Sequence, residues 1–401
     1  MTHPRLEVAD VVQQYGDLFL ARYGATLSAE QRRALRAIAV CRTAALGGHK
    51  TQCDHCGYEE ISYNSCRNRH CPKCHGAAQV AWLAAREREV LDVPYVHVVF
   101  TLPHTLSPLS LQNPRVLYSM LFRTVAQTLQ DIAGDPKHLG ADIGGFAVLH
   151  TWGQQLHHHP HLHCVLPAGG LAPDGTRWLP CRPHFFLPVK VLSRRFRHLF
   201  LDALGHAYAQ GALTFAGGCR PLASLPAWHR FLARLYTTEW VVYAKEPLRT
   251  PQHVLQYLAR YTHRVALSNQ RLLALDDGQV TFRYKDYQHG HRLRTLTLDA
   301  MEFLRRFLLH VLPRGFQRIR HFGFLANRVR QAQLAVCRAL LPQQTAAPPP
   351  MRPDAELPPA PAASGTVCPA CQRGQMSWVE TLHPQPALGV KDGQPASWDT
   401  S

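Results

Sequence analysis

No stretch of the 401-residue sequence approaches the ~18 consecutive apolar residues that a membrane-spanning helix needs. The opening MTHPRLEVADVV lacks the basic flank and apolar run of an export signal, so the reading is of a chain that works in the cytoplasm. Acidic residues are scarce: 27 Asp and Glu stand against 44 Lys and Arg, a formal charge of +17 before any of the 25 histidines is counted. That surplus favours a polyanion or an anionic membrane surface, and basicity alone does not choose between them. Internal repeats are missing as well, which removes solenoid architectures. What is present, 46% apolar and 18% charged residues, suits a folded chain of two or three domains and excludes wholesale disorder.

Twelve cysteines are unevenly spread, six of them between Cys41 and Cys74. Without an export segment, close Cys-x2-Cys pairs read as thiolate metal ligands rather than disulfides. CDHC supplies Cys53 and Cys56, and CRNRHCPKC supplies Cys71 and Cys74, four thiolates for one tetrahedral zinc. Buried free thiols are the plainer reading, but they leave the repeated spacing unexplained. His49, Cys66 and His70 remain as candidates for a second zinc with a shared or distant ligand, or the two histidines could face phosphate. The surrounding Lys50, Arg67, Arg69, Lys73 and His75 suggest a face for a nucleic-acid backbone. A further pair, Cys368 and Cys371, offers half a site that Cys337, His383 or another subunit could complete, or else two free thiols.

Helical periodicity or capping marks residues 5–23, 28–46, 77–91, 115–133, 193–213, 223–242, 251–261 and 299–312. Strands are expected at 95–102, in two runs across 161–180 around Asp174-Gly175, and at 279–287. Eight prolines in the 24 residues from Leu341 to Ser364 read as an extended spacer. The expected division is a cysteine-rich module at 1–92, an α+β body at 93–340, a Pro/Ala-rich linker at 341–366 and a short tail at 367–401.

Two motifs in the body carry chemistry. In WGQQLHHHPHLHCVLP, His161 and His163 flank Leu162 at strand spacing, so both imidazoles share one face while the leucine is buried opposite. Such a pair can hold a divalent ion once a third ligand completes it, and Gln154 and Gln155 are the candidate oxygen donors. Oxygen-rich coordination suits Mg²⁺ or Mn²⁺, the two histidines leaning toward Mn²⁺. A hydrogen-bonded polar strand face is the bland alternative. In PQHVLQYLARYTHRVALSN, Tyr257 and Tyr261 lie one helical turn apart beside Arg260, His263 and Arg264. Aromatic pairs at this spacing usually pack a core, yet these cations are unusual core neighbours and natural phosphate contacts.

Together CRNRHCPKC, VVFTLPH, HHHPHLHCVLPAGG, YLARYTHRVALSN, FRYKDY and IRHFGFLANR resemble the IS91-type insertion-sequence transposases over roughly residues 10–330. That family belongs to the HUH nucleases, in which two histidines flank a bulky hydrophobic residue. The resemblance implies an antiparallel-sheet nuclease core with helical insertions, preceded by a small helical zinc-binding domain. It implies a metal-dependent DNA transposase that cleaves and rejoins single strands through a 5′-phosphotyrosine during rolling-circle-like transposition. The family's HUH pair falls on His161 and His163, and its tyrosine pair on Tyr257 and Tyr261. Structural Zn²⁺ and catalytic Mg²⁺ or Mn²⁺ are the implied cofactors. The implied partners are single-stranded DNA at element ends and targets, with host replication or helicase factors, since no P-loop is visible. Arg67, Arg69, Lys73, Arg260, Arg264, Arg283, Lys285, Arg318, Arg320 and Arg328 are candidates for DNA contacts. A bacterial, nucleoid-associated location follows, and an oligomer is open. The alternatives are a plasmid replication initiator or relaxase with the same chemistry, and a non-catalytic zinc-dependent DNA-binding regulator.

Overall fold

The computed structural model describes residues 6–74, 82–84, 86–182, 185–248, 266–287, 289–341 and 367–385. The helix expected at 77–91 falls partly, and that at 251–261 wholly, outside them. Among the described residues no helix is long and apolar enough to cross a membrane.

The chain begins with α1 (Val8–Tyr23) and α2 (Ala29–Val40). The start of α2 is set by Ser28, whose hydroxyl accepts the Gln31 N–H while the Gln31 side chain accepts the Ser28 N–H. This reciprocal cap is the one its SAEQ sequence predicts. Strands β1 (Gly48–Cys53) and β2 (Glu59–Tyr63) follow as an antiparallel hairpin. Sequence reading treats this stretch as aperiodic because every residue of β2 is exposed, so no apolar alternation marks it.

The body is a five-stranded antiparallel sheet in the order β12-β4-β5-β3-β8. Its strands are β3 (Tyr95–Thr101), β4 (Gly144–Trp152), β5 (His158–Pro167), β8 (Val242–Leu248) and β12 (Ile319–Gly323). Between β5 and β8 in the chain lie β6 (Gly169–Leu171) and β7 (Trp178–Pro180), which pair with each other. The turn expected at Asp174-Gly175 therefore joins β6 to β7, while β5 pairs with β3 and β4.

Period-2 geometry gives the sheet two unlike faces. Val96, Val98 and Phe100 of β3, Ala147 and Leu149 of β4, and Leu162, Cys164 and Leu166 of β5 enter one apolar core. Leu117, Leu121 and Val125 of helix Pro114–Gly134, Phe196 and Phe200 of helix Val189–Ala209, and Trp228 of helix Leu225–Thr237 close it. At about 25 cal/mol per Å² of buried apolar surface, this core is the chief source of the body's stability. The opposite face carries His97, His150, His161 and His163 at one end and the apolar group Tyr95, Phe146, Val148 and Val165 at the other.

A second core joins the chain's beginning to its later part. Val8, Val12, Phe19, Leu35 and Ile38 pack with Phe282, Phe303 and Phe307. The latter come from a meander of β9 (Leu272–Asp276), β10 (Gln279–Asp286) and β11 (Arg292–Asp299) and from helix Ala300–Leu308. Finally, β13 (Met376–Leu382) in the tail pairs antiparallel with β1, making a three-stranded sheet β13-β1-β2.

Candidate metal centres

Cys41, Cys66, Cys71 and Cys74 bring their sulfurs within 4.8 Å of one another. Cys74 Sγ lies 3.5 Å from Cys41 Sγ and 3.6 Å from Cys66 Sγ. A tetrahedron of Zn–S bonds of ~2.3 Å has an edge of about 3.8 Å, whereas a disulfide bond is about 2.05 Å. The spacing is that of a closed zinc site. Cys41 caps the end of α2, Cys66 follows β2, and Cys71 and Cys74 form a tight turn in which the Cys74 N–H donates to the Cys71 carbonyl. Hydrogen bonds from Cys66 and Cys71 hold the Cys41 thiol down to about 2, while the thiols of Cys66 and Cys71 are pushed up. Four thiolates this close repel one another, and a dication is what allows all four to ionise.

The second quartet is Cys53, Cys56, Cys368 and Cys371, also within 4.8 Å. Cys53 Sγ lies 3.7 Å from Cys371 Sγ, and Cys56 Sγ 3.7 Å from Cys368 Sγ. The single site expected from Cys53, Cys56, Cys71 and Cys74 is thus divided between two clusters. The hairpin is the reason. Gly48 pairs with Tyr63 at its base and Gln52 with Glu59 near its tip, so five residues at ~3.3 Å each keep Cys53 about 16 Å from the base where the first quartet sits. His49 joins neither cluster; its ring stacks on Trp378 at 4.7 Å. His70 is buried and its Nε2 accepts the Leu312 N–H, leaving it a structural role.

The third centre lies on the body's sheet. In β5 the odd positions His159, His161 and His163 face away from the helical core, while Leu162 is fully buried within it. Directly across in β4, His150 pairs with His161 and Val148 with His163. The ligating atoms of His150, His161 and His163 lie within 4.8 Å of one another. His161 Nδ1 donates to the His159 carbonyl at 2.7 Å, which leaves Nε2 with its lone pair for a metal. Burial pushes His161 down to about 4, so the ring is neutral and able to ligate near pH 7. His163 Nδ1 lies 2.8 Å from Nε2 of the buried His97. If His163 ligates through Nε2, its Nδ1–H is donated to His97, a partner that fixes the ring.

The third donor that the strands bring within reach is His150, and the two glutamines expected as oxygen donors have other contacts. The Gln154 carboxamide accepts the Lys285 N–H at 3.3 Å, and the backbone carbonyls of Gln154 and Gln155 accept from Arg271 and Arg306. Both glutamines belong to the turn between β4 and β5, while the third imidazole comes from β4 itself. Three nitrogen donors are softer than two nitrogens and an oxygen, so a divalent ion held there would be Mn²⁺ more readily than Mg²⁺.

Comparison with known proteins finds a zinc-binding domain in the N-terminal part of the chain and a transposase domain after it. A family model described as "Transposase zinc-binding domain" matches residues 11–102, and one described as "Putative transposase" matches residues 144–333. The chain is 52% identical over 401 residues to "Putative transposase y4qJ" of Sinorhizobium fredii (strain NBRC 101917 / NGR234), covering 98% of each chain. It is 32% identical over 293 residues to the "Transposase for insertion sequence element IS801" of Pseudomonas savastanoi pv. phaseolicola, covering 72% of this chain and 68% of that one. The chain belongs to the IS91-type transposases. No solved structure matches it.

The transposase already uses several of the cations expected to meet DNA. Arg69 donates to the carbonyls of Phe316 and Pro313, and Lys73 pairs with Glu7 at 2.5 Å. Arg320 bonds Ser119 and lies over the rings of Phe122 and Phe316. Burial lowers Arg318 to about 10, and it lies half-buried in the chain that enters β12. By contrast Arg67, Arg283, Lys285 and Arg328 are exposed. Tyr257, Tyr261, Arg260 and Arg264 lie outside the described residues. Sequence reasoning left Cys41, His97 and His150 unassigned. Cys41 sits alone at a helix end, and the two histidines reach the site only through pairing with strands distant in sequence.

Proposed function

We propose that the transposase cleaves and rejoins single-stranded DNA by tyrosine attack next to the His150–His161–His163 centre. The observation that carries this reading is the placement of three imidazoles, their ligating atoms within 4.8 Å of one another, on adjacent antiparallel strands and pointing away from the helical core. A divalent ion bound there, Mn²⁺ better than Mg²⁺, would polarise a scissile phosphate and lower the pKa of a nearby phenol from its ordinary ~10. Tyr257 or Tyr261 supplies the phenolate oxygen. It forms a bond to phosphorus as the phosphorus–oxygen bond to the 3′ side of the upstream nucleotide breaks. The products are a 5′-phosphotyrosine and a free 3′-hydroxyl, and the ester energy is kept for rejoining. The second tyrosine serves the second strand-transfer step. Exposed Arg67, Arg283, Lys285 and Arg328 are the cations best placed to track the DNA backbone. A single strand is the substrate, because an in-line tyrosine has poor access to a phosphate within a duplex.

The test is a denaturation-resistant adduct between the protein and labelled single-stranded DNA from an element end, in the presence of Mn²⁺ or Mg²⁺. His150→Ala and His161→Ala should bind DNA yet lose at least 100-fold in adduct formation, on the order expected when a Lewis acid is removed. Gln154→Ala should retain it, and Tyr257→Phe/Tyr261→Phe should abolish it. An adduct undiminished in the double tyrosine variant would sink the assigned nucleophiles. Absence of any adduct with the parent would favour a DNA-binding role without strand cleavage.

A further inference from the structure

We propose that Cys53, Cys56, Cys368 and Cys371 hold a second zinc ion, which clasps the C-terminal segment 367–385 onto the N-terminal domain of the same chain. Neither Cys-x2-Cys knuckle is a metal site alone; each supplies two thiolates, and the fold sets them face to face with sulfurs 3.7 Å apart. That distance matches the ~3.8 Å edge of a ZnS₄ tetrahedron. The knuckle backbones are turned as thiolate ligands require. His55 and Cys56 N–H groups donate to Cys53 Sγ, and the Gly374 N–H donates to Cys371 Sγ. The two knuckles are also tied to each other, since the Asp54 N–H donates to the Gln375 carbonyl and the Gln375 N–H to the Asp54 carboxylate.

The surrounding sheet has little else to hold it. Among the described residues the buried cluster at this end is Cys53, Cys368 and Met376, with Cys371 packed against it. Trp378 and Val379 of β13, and Ile61 of β2, are more than half exposed. Three residues make too small an apolar core to repay the ordering of three strands, and in such units a metal supplies the folding energy. Gly374 belongs to the same design. A Cβ there would collide with Cys53 Sγ, Asp54 and His55, so the tail approaches the knuckle as closely as glycine permits. The pairing of β13 with β1, from Gly48–Leu382 to Cys53–Met376 with one register shift between Lys50 and Thr51, then extends the clasp into a ladder.

Zinc per chain, measured by mass spectrometry on the intact purified protein, tests the number of sites. The parent should carry two ions, and Cys368→Ser/Cys371→Ser one, with Cys53→Ser/Cys56→Ser matching it. The one retained ion marks a folded first quartet, so the loss is local. Two ions in the tail variant, or none, would overturn two separate sites. For the clasp itself, a specific protease site is inserted between residues 345 and 361 of the full chain and then cut. The tail fragment should elute with the body while zinc is bound and separate once a chelator removes it. Separation with both ions retained would refute the clasp, as would a zinc-dependent dimer in which each tail serves the other chain.

Discussion

A ring's second nitrogen decides how well its first holds a metal. His161 hands its Nδ1 proton to a carbonyl, and His163 faces His97 at 2.8 Å, so the two histidines of β5 are oriented by different partners. Replacing His97 with Ala should therefore weaken Mn²⁺ binding by roughly 10- to 100-fold, the usual cost of losing such a partner, while zinc content stays at the parental value. Calorimetric titration with Mn²⁺ reads this directly, and unchanged affinity would show that His97 only fills space. His161 and His163 were legible in the sequence because both lie in one strand, where spacing alone fixes their common face. His150 was not, because its place opposite His161 depends on which strands pair and in what register. The same holds for Cys41, which reaches Cys66, Cys71 and Cys74 only through the turn of the chain after α2.

Strand register is the element-scale property on which the histidine centre depends. A one-residue slip of β4 against β5 would turn His150 into the helical core and abolish the three-nitrogen set. β12 guards the outer edge of β4, pairing from Ile319–Val148 to Gly323–Gly144. Gly323 ends that ladder with φ +60°, and a Cβ there would collide with the Ile143 carbonyl. Gly323→Ala should destabilise the body by about 1–3 kcal/mol, the scale of a backbone held in a disfavoured region. An unchanged urea midpoint would show that the β12 edge tolerates strain. Caps and amphipathic periods made the helices readable from sequence, as Ser28 and Asp299 illustrate. Strands exposed on both faces, β2 above all, carry no alternation and stayed invisible.

At the scale of the molecule, the surplus of histidine becomes a liability in acid. Burial holds His158 down to about 3 and His310 to about 4, against 6.5 in the unfolded chain. Between those values the unfolded chain takes up protons that the folded one refuses, so stability rises with pH across this window. It is lost as pH falls from 6.5 toward 4, at up to about 1.4 kcal/mol per pH unit for each ring, and these rings have no effect above 6.5. Urea midpoints between pH 7.5 and 4.5 should show this fall, with a shallower slope in His310→Gln; parallel slopes would mean that other groups dominate. The division of labour between the two cores could not be read from local pattern, since the N-terminal helices share theirs with residues beyond 266. Closure of the β13-β1-β2 sheet has a direction in time. Cys371 follows Cys53 by 318 residues, which at 5–20 residues per second is roughly 15 to 65 s of synthesis. Throughout that interval the first knuckle waits with two unshared thiols. A prematurely terminated chain, even with its histidine strands complete, would keep that knuckle open, so the closing metal separates finished transposase from fragment.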